Sequence, residues 1–367
     1  MRLCFLGGYD PEYPRNTVIR KGLRENGVEV SECRVSPRLK FWLRYPVMFF
    51  RSRPGVLRSD FIFVPEFCQK DLPLARALSE LASKKVIFDP LAARFETKIV
   101  DWGRKPAHSW QARWNYRIDS WAFRLSDLIL ADTGSHKKHY CQKYRLPSDK
   151  IEVLPVGFDS DIFNPSRTQP LPKQEHFQVL FFGSFLPLHG VETILESAKI
   201  LSTQDPAVRF RLVGSGQTRP QARALASELD LNNVFFENWV SQRNLPHRIA
   251  SCQVCLGIFG KGEKAKRVVP HKIFQAMAMR KPVITLRTPA VEEFFSDRVN
   301  VFLCPDSKPS SLAQAILQLK RDSRLREEIG GRGYRLVSQH FSPRATGRRL
   351  LEILERHFGR NEKGEVH

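Results

Sequence analysis

The chain has 367 residues, with 59 Lys and Arg against 38 Asp and Glu, and its formal net charge is +21. Its 42% of hydrophobic residues is typical of a globular protein and excludes disorder over most of the chain. The length predicts about two domains, and no apolar stretch is long enough to predict a transmembrane helix. Nucleic acid, an anionic membrane and phosphorylated small molecules all remain candidate partners for the positive charge.

The N-terminal half alternates short apolar strands with helical segments. Strands are predicted at 3–6, 28–30, 61–64, 86–89 and 128–131, and helices at 17–26, 72–83 and 115–125. This alternation predicts a parallel, doubly wound sheet. The start of the chain lacks the pattern of a signal peptide, and its seven irregularly spaced cysteines favour a reducing, cytoplasmic compartment.

One segment of this half, residues 33–59, carries seven basic residues and no acidic one. Among them lies the apolar and aromatic run 41–50. Basic side chains beside large aromatic rings suit the interface of an anionic membrane, so we expect the protein to lie peripherally on the inner face of the membrane. The alternative is a buried helix with a solvated basic face, and we expect Pro46 to interrupt any long amphipathic helix here.

A segment with four prolines, 154–176, reads as a linker between domains. After it the alternation restarts, with strands predicted at 179–182, 209–213, 234–236, 252–259 and 283–285. Helices are predicted at 190–201, 220–229, 272–279, 310–320, 322–338 and 343–358. We therefore predict two Rossmann-like domains, 1–165 and 166–340, facing a ligand-binding cleft, and a terminal helix in 341–367 that returns toward the first domain.

Three turns of the second half follow strands and precede helices, where free N–H groups and the helix dipole favour an anion. The first contains Gly183 and Ser184. The second, 214–216, is Gly-Ser-Gly but lacks the third glycine of the dinucleotide fingerprint, so a plain tight turn is an equal reading. The third is the basic loop 260–272, in which three cations are placed to reach a pyrophosphate: Lys264, Arg267 and Lys272.

These motifs resemble the GT-B glycosyltransferases, specifically glycosyltransferase family 4. The resemblance is carried by residues 181–192, 212–216, 238–241 and 269–285, and in the first half by residues 7–16. It implies two Rossmann-like domains and transfer of a sugar, with retention of configuration, from a UDP-, GDP- or dTDP-sugar to a glycan or lipid-linked acceptor. It also implies that no metal is required, and no carboxylate cluster with metal-ligand spacing argues otherwise.

The resemblance also implies roles for individual residues. The donor is expected to contact Gly7, Gly8, Gly183, Ser184, His189, Gly214, Ser215, Gly216, Val240, Lys264, His271 and Gln275. The catalytic residues are expected to be Asp89, Glu263, Arg267 and Lys272. Arg15 and Arg104 are candidates on the acceptor side, with a solvated arginine as the alternative for each.

The sequence departs from the family pattern at four positions. Arg267 and Gln275 stand where the family has two glutamates, and Ser184 and His189 stand where it has the Arg and Lys that neutralise the diphosphate. A non-catalytic nucleotide-sugar or glycan-binding relative is therefore one alternative, and a GT-B sugar epimerase is another. We favour an active enzyme whose cations have moved into the loop 261–272. A nucleic-acid binder is not favoured, because no recognition signature is present.

One cysteine pair and one histidine pair have spacings that could suit a functional site. Cys252 and Cys255 have the spacing of a redox motif, but a strand would direct them to opposite faces, which favours buried structural cysteines. His136 and His139 lack a second pair of ligands, so a zinc site is not expected.

Overall fold

The computed structural model describes residues 1–36, 39, 41–103, 106–169 and 175–359. The chain divides into two compact units: unit 1 contains residues 1–156 and the chain from 343 onward, and unit 2 contains residues 157–342. The first change of unit lies inside the proline-rich segment 154–176. Each unit is built on one six-stranded sheet of parallel strands. The predicted parallel α/β class is confirmed.

Unit 1 begins the chain and supplies the first six strands. The strands are β1 (Arg2–Gly7), β2 (Glu29–Arg34), β3 (Phe61–Val64), β4 (Lys85–Phe88), β5 (Leu128–Ala131) and β6 (Ile151–Val153). The helices between them are α1 (Pro14–Glu25), α2 (Phe41–Arg58), α3 (Leu72–Ala82), α4 (Trp110–Leu125) and α5 (Gly134–Tyr144). The strand order is β2-β1-β3-β4-β5-β6. Right-handed crossovers place α2, α3 and α4 on one face of this sheet and α1 on the other, and α3 packs against both α2 and α4.

Unit 2 repeats the architecture. Its strands are β7 (Phe177–Phe182), β8 (Val208–Val213), β9 (Val234–Glu237), β10 (Val254–Leu256), β11 (Val283–Leu286) and β12 (Phe302–Cys304). Its helices are α6 (Val191–Gln204), α7 (Arg219–Glu228), α8 (Leu245–Ala250), α9 (His271–Ala278), α10 (Pro289–Glu292), α11 (Pro309–Arg321) and α12 (Ser323–His340). The strand order is β12-β11-β10-β7-β8-β9, with β7 at the centre and buried along its whole length. Burial on both faces explains why this strand reads as a continuous apolar run.

The last helix, α13 (Pro343–Phe358), belongs to unit 1, where it packs along α1. The contact is close because both helices carry a glycine where they meet. A Cβ on Gly22 would overlap the carbonyl oxygen of Pro343, and one on Gly347 would overlap the carbonyl of Gly22. Asn26 adds a side-chain hydrogen bond to the carbonyl of Arg344, at 2.9 Å.

Two expectations about local structure are wrong. Helix α2 runs through both Pro46 and Pro54. Both prolines are exposed, while the opposite side, with Met48 and Val56, is buried against the sheet, so packing offsets the hydrogen bonds that proline removes.

The strand predicted at 252–259 is also shorter, since β10 covers only Val254–Leu256. Cys252 lies in the turn before the strand, and its Sγ is 3.4 Å from that of Cys255, so the two side chains meet and do not point to opposite faces. Both are buried, and all seven cysteines are free.

Candidate functional site

Three loops of unit 2 follow the adjacent strands β10, β7 and β8. They are 257–270, 183–190 and 214–218, and each leads into a helix. Because the carboxyl ends of neighbouring parallel strands lie at one edge of a sheet, the three loops lie side by side there. This edge contains most of the residues expected to bind a donor.

Glycines allow the three loops to pack backbone against backbone. Gly214 has φ +143°, and a Cβ there would overlap the carbonyl oxygen of Gly183. Gly190 has φ +62°, and a Cβ there would overlap the backbone of Phe259 and Gly260. The N–H of Phe259 donates to the carbonyl of His189 at 3.0 Å, which joins the first and third loops. At these two glycines both the conformation and the space exclude a side chain.

Lys272, in the first turn of α9, extends into this packed edge. Only 6% of the residue is exposed, and its Nζ lies 3.9 Å from the centroid of the Phe181 ring. The same Nζ is 3.5 Å from the point that a Cβ on Gly183 would occupy. Within the described part of the chain this Nζ has no hydrogen-bond partner, and burial lowers the pKa of the Lys272 amine well below its ordinary value.

A positive charge on the amine in this position would be compensated by a bound anion. Burying a charge is costly unless it is paired, and the start of a helix favours negative charge on its exposed N–H groups. Helix α9 follows Pro270 and has no acidic residue in its first turn. The geometry therefore suits a phosphate group between Lys272 and the glycine-rich turn at Gly183.

His189 contributes no second positive charge at this edge. Burial lowers the pKa of its imidazole well below the ordinary value, and the nearby Lys272 lowers it further. Its Nδ1 donates a hydrogen bond to the carbonyl oxygen of Ser184. The ring also packs edge-on against Phe181, with centroids 5.6 Å apart. His189 is therefore a neutral residue that holds the first loop in shape.

The basic loop is itself folded by short turns. The N–H of Arg267 donates to the carbonyl of Lys264 at 3.0 Å, and both residues are half-buried. Glu263 is exposed and forms an ion pair with Lys266, at 2.7 Å, which lowers the pKa of the Glu263 carboxyl. His271 donates from Nδ1 to the carbonyl of Gly157 at 3.3 Å. Lys272, in the helix that follows this loop, contacts the turn at Gly183.

The remaining donor-side residues flank this centre. Gln275, one turn along α9 from Lys272, donates through Nε2 to Oε1 of Gln242 at 3.2 Å. This bond joins α9 to the loop after β9, which also carries the half-buried Val240. Ser215 and Gly216 are exposed, and the carbonyl of Ser215 accepts from the N–H of Phe185 at 2.8 Å. Phe181 and Gln242 are site residues that the sequence reasoning missed, although each stands inside or beside a motif that it used.

In unit 1, Arg15, which was expected on the acceptor side, is paired with Asp89, which was expected to be catalytic. Arg15 and Asp89 both have 0% exposure, and the guanidinium makes two hydrogen bonds to the carboxylate, at 2.6 and 2.8 Å. A third bond from Arg15, 3.0 Å long, reaches the carbonyl of Leu154. Burial raises the pKa of Asp89, although Arg15 opposes it. The reading of Arg15 as a solvated arginine is wrong, and Arg104 lies outside the described residues.

The glycine pair after β1 has a neighbourhood of its own. The N–H of Gly8 donates to Oδ2 of Asp71 at 2.9 Å, and Asp71 is also paired with Arg44. The Arg44 guanidinium fills the space that a Cβ on Gly8 would need. The N–H of Gly8 is thus engaged by a carboxylate, which is an unfavourable neighbour for a diphosphate. Donor contact at Gly7 and Gly8 remains a prediction.

The histidines considered for zinc are held by carboxylates instead. His136 Nδ1 is 2.6 Å from Asp132, and His139 Nε2 is 2.5 Å from Glu96. Burial alone lowers the pKa of His136, but Asp132 and Glu96 outweigh it and raise this pKa to about 9. Over the described ranges, no group of three or more His, Cys, Asp and Glu side chains is arranged to hold a metal ion.

Comparison with known proteins adds a family to this geometry. Residues 163–336, which contain all three loops, match the family model for glycosyl transferases group 1. The matched range lies within unit 2 and makes up just under half of the chain. The match is coarser than family 4, which remains a prediction.

The curated proteins that match this chain are distant relatives. The amylovoran biosynthesis glycosyltransferase AmsK of Erwinia amylovora is 21% identical over 212 residues, which cover 57% of this chain and 52% of that protein. The D-inositol 3-phosphate glycosyltransferase of Thermomonospora curvata is 24% identical over 250 residues, covering 62% and 56% respectively. The chain therefore spans about half the length of the curated relatives that it matches.

Solved structures match over nearly the whole chain. HepE of Anabaena in complex with UDP-glucose has a TM-score of 0.72 at 17% identity, covering 97% of this chain and 100% of that one. Sucrose-phosphate synthase of Thermosynechococcus elongatus has a TM-score of 0.71 at 15% identity, covering 98% and 99%. Together with the two parallel sheets, these similarities confirm the predicted GT-B fold.

Proposed function

We propose that the protein is a glycosyltransferase that moves a sugar from a nucleoside diphosphate sugar, with retention of configuration, to a glycan or lipid-linked acceptor at a membrane surface. The observation that carries the proposal is the unpartnered Nζ of Lys272 against Gly183. The group 1 domain around it and the UDP-glucose complex of the similar HepE structure support it. The diphosphate of the donor would be the negatively charged partner of this amine.

The proposed chemistry depends on stabilising the departing diphosphate. As the bond between sugar and phosphate breaks, negative charge grows on the leaving oxygen and the sugar takes on oxocarbenium character. Cations and N–H dipoles that are already in position stabilise that charge without reorganisation. We assign this work to Lys272, to Arg267 and to the first turn of α9, without a divalent metal. Gln275, which has both donor and acceptor atoms, suits a ribose hydroxyl.

We assign the acceptor to unit 1 and the membrane contact to the segment 33–59. In that segment, α2 exposes Leu43, Phe50 and Leu57 on one side, and Phe50 is 75% exposed. Exposed arginines lie next to them at 51, 53 and 58. Apolar side chains flanked by cations match a surface of anionic lipid. No helix in the described ranges is both long enough and apolar enough to cross a bilayer.

The test uses the full chain with a panel of UDP-, GDP- and dTDP-sugars. Wild type should bind at least one of these nucleotide sugars, seen as an upward shift in melting temperature. In the presence of acceptor it should release the corresponding nucleoside diphosphate. Lys272→Ala and Arg267→Ala should abolish transfer while leaving the fold intact by circular dichroism. Full activity in both variants would refute the placement of the diphosphate. Binding without turnover across the panel would favour a non-catalytic relative.

The membrane part has its own test. Replacing Arg51, Arg53 and Arg58 by glutamine should weaken sedimentation with anionic vesicles without altering nucleotide binding in solution. Vesicle binding equal to wild type would refute a role for the exposed arginines of α2.

A further inference from the structure

Helix α4 carries an exposed surface for which the proposed activity gives no use. Six residues lie on one side at helical spacing: Trp110, Arg113, Trp114, Arg117, Trp121 and Arg124. We call them the tryptophan–arginine stripe. The three tryptophans are 71%, 46% and 50% exposed, and all three arginines are exposed. Trp114 and Trp121 contact edge to face, with ring centroids 6.0 Å apart.

Such a surface is unusual on a protein that meets only water. Large aromatic rings gain free energy when they leave water, and contiguous exposed apolar patches mark interaction sites. The opposite side of α4 is conventional, with Ala112, Ile118 and Phe123 buried in the core. The stripe is therefore not needed to hold the helix on the sheet.

The charge of the stripe selects its partner. The single acidic residue of α4, Asp119, is buried and accepts hydrogen bonds from the N–H groups of Arg94 and Phe95, at 2.9 and 2.8 Å. The exposed side is therefore cationic along its whole length. Two copies of such a surface would repel each other across a twofold axis, which argues against a dimer contact.

The stripe also belongs to a larger surface. Helices α2, α3 and α4 form one layer on the same face of the sheet, with α3 packed between the other two. The outer side of α2 exposes Leu43, Phe50 and Leu57, and α3 adds the exposed Leu81. Leucine has no π-face for a nucleic-acid base, but it is readily buried among acyl chains. The continuity of this layer favours a lipid surface over RNA.

We propose that the tryptophan–arginine stripe is a second membrane-contact surface, in which the three rings lie at head-group depth and the three arginines bind anionic lipid phosphates. Tryptophan is the residue that bilayer interfaces favour, and each arginine near an anionic leaflet adds attraction. The proposal rests on the proposed function in one respect only, that α2 faces the same membrane. Unit 1 would then dock through two parallel helices. Two helices fix its orientation on the bilayer, whereas one helix alone would leave it free to rotate about the helix axis.

The experiment measures sedimentation of the full chain with phosphatidylcholine vesicles, with and without phosphatidylglycerol. Arg113→Gln with Arg117→Gln should weaken binding to the anionic vesicles about 30-fold, since each arginine contributes about fivefold. Trp114→Ser with Trp121→Ser should weaken it about tenfold per ring, if half of the exposed area of each leaves water. Brominated lipid should quench tryptophan fluorescence in wild type and quench it less in the tryptophan variant.

Matched controls are available in unit 2. Trp239 is 63% exposed and Arg243 is exposed, so Trp239→Ser and Arg243→Gln should leave vesicle binding at the wild-type level. Nucleotide binding and melting temperature, measured without vesicles, establish that each stripe variant is folded. A stripe variant that binds vesicles as wild type does would overturn the proposal, even if the α2 arginine variants lose binding. The proposal would also be overturned if wild type failed to bind anionic vesicles but bound single-stranded RNA. Nucleotide binding would still test the proposed transferase activity separately.

Discussion

Replacing Lys272 by methionine should change stability and nucleotide binding in opposite directions. Methionine is unbranched and close in volume, so it keeps the packing on Phe181 while removing the ammonium group. Among the described residues the amine of Lys272 is buried without a hydrogen-bond partner, and its removal ends the cost of that burial. With a diphosphate bound, the same change deletes the opposite charge.

The two effects can be sized from the contacts. Burying an unpaired ion costs several kcal/mol, and the substitution removes this cost. The lost cation–π contact with Phe181 costs up to about 2 kcal/mol in the opposite direction. A net gain of about 1 kcal/mol corresponds to a melting temperature roughly 2–4 °C higher for a unit of this size. Truncating one partner of a buried charge pair costs about 2–5 kcal/mol of binding free energy, or roughly 30- to 5,000-fold in affinity.

The assay is thermal unfolding with and without UDP, GDP and dTDP, followed by calorimetric titration. Lys266→Met is the matched control, because Lys266 lies in the loop that leads into α9 but is exposed and paired with Glu263. It should change neither quantity by more than about 0.5 kcal/mol. A Lys272→Met protein that is less stable than wild type by more than about 1 kcal/mol, or that a nucleotide stabilises as strongly as wild type, would refute the reasoning.

The same residue predicts a pH dependence. The pKa of Lys272 is lower in the folded protein than its ordinary value of 10.5. At a pH between these two values, the unfolded chain binds more protons than the folded one. The contribution of Lys272 to stability therefore rises with pH through that window and is absent in Lys272→Met. Binding of a diphosphate should raise this pKa and take up a proton. Titrations in buffers of different ionisation enthalpy would detect the uptake, and equal proton exchange in wild type and variant would contradict it.

Three further predictions concern the framework. Gly214→Ala should destabilise by several kcal/mol and abolish nucleotide binding, whereas Gly262→Ala, where a Cβ meets nothing within 4 Å, should stay within about 0.5 kcal/mol of wild type in chemical unfolding. Arg15→Met should destabilise by about 3–5 kcal/mol by leaving Asp89 buried without its partner, and adding Asp89→Leu should recover part of the loss; additive losses would contradict the pairing. The stability that protonated His136 contributes is complete below pH 6.5 and is lost as the pH rises through about 9. Over this range the free energy of unfolding of wild type should fall by up to about 3 kcal/mol, while His136→Asn should show no such loss.

Sequence patterns were most reliable where burial alone decides the structure. The strands at 61–64 and 128–131 have the predicted bounds, because each is a largely buried apolar run that begins directly after an aspartate. Helix α2 was obscured by its two prolines, since local propensity cannot register the burial of the opposite side against the sheet. The basic loop was found as a charged segment, but its sequence does not reveal that Lys272 is buried on Phe181.

Contacts between residues far apart in the sequence could not be predicted either, because local patterns do not show which elements pack together. Arg15 and Asp89 are 74 residues apart, and each alone reads as a solvated charge or a site residue. Their bidentate contact exists only once β4 and α1 have been brought together. The sequence also gave no sign that the tryptophans of α4 are exposed, because a helix with five aromatic and three basic residues among sixteen is equally consistent with a buried position.

The packing of α13 on α1 also has a consequence for synthesis on the ribosome. The first helix of the chain waits for its partner until Pro343 and the residues after it have left the exit tunnel, by which time the whole of unit 2 has been made. Unit 2 is contiguous and is free to fold while translation continues, whereas the first-made unit is the last to be completed. A nonsense codon just before Pro343 should therefore damage the N-terminal unit most, leaving Gly22 of α1 facing water.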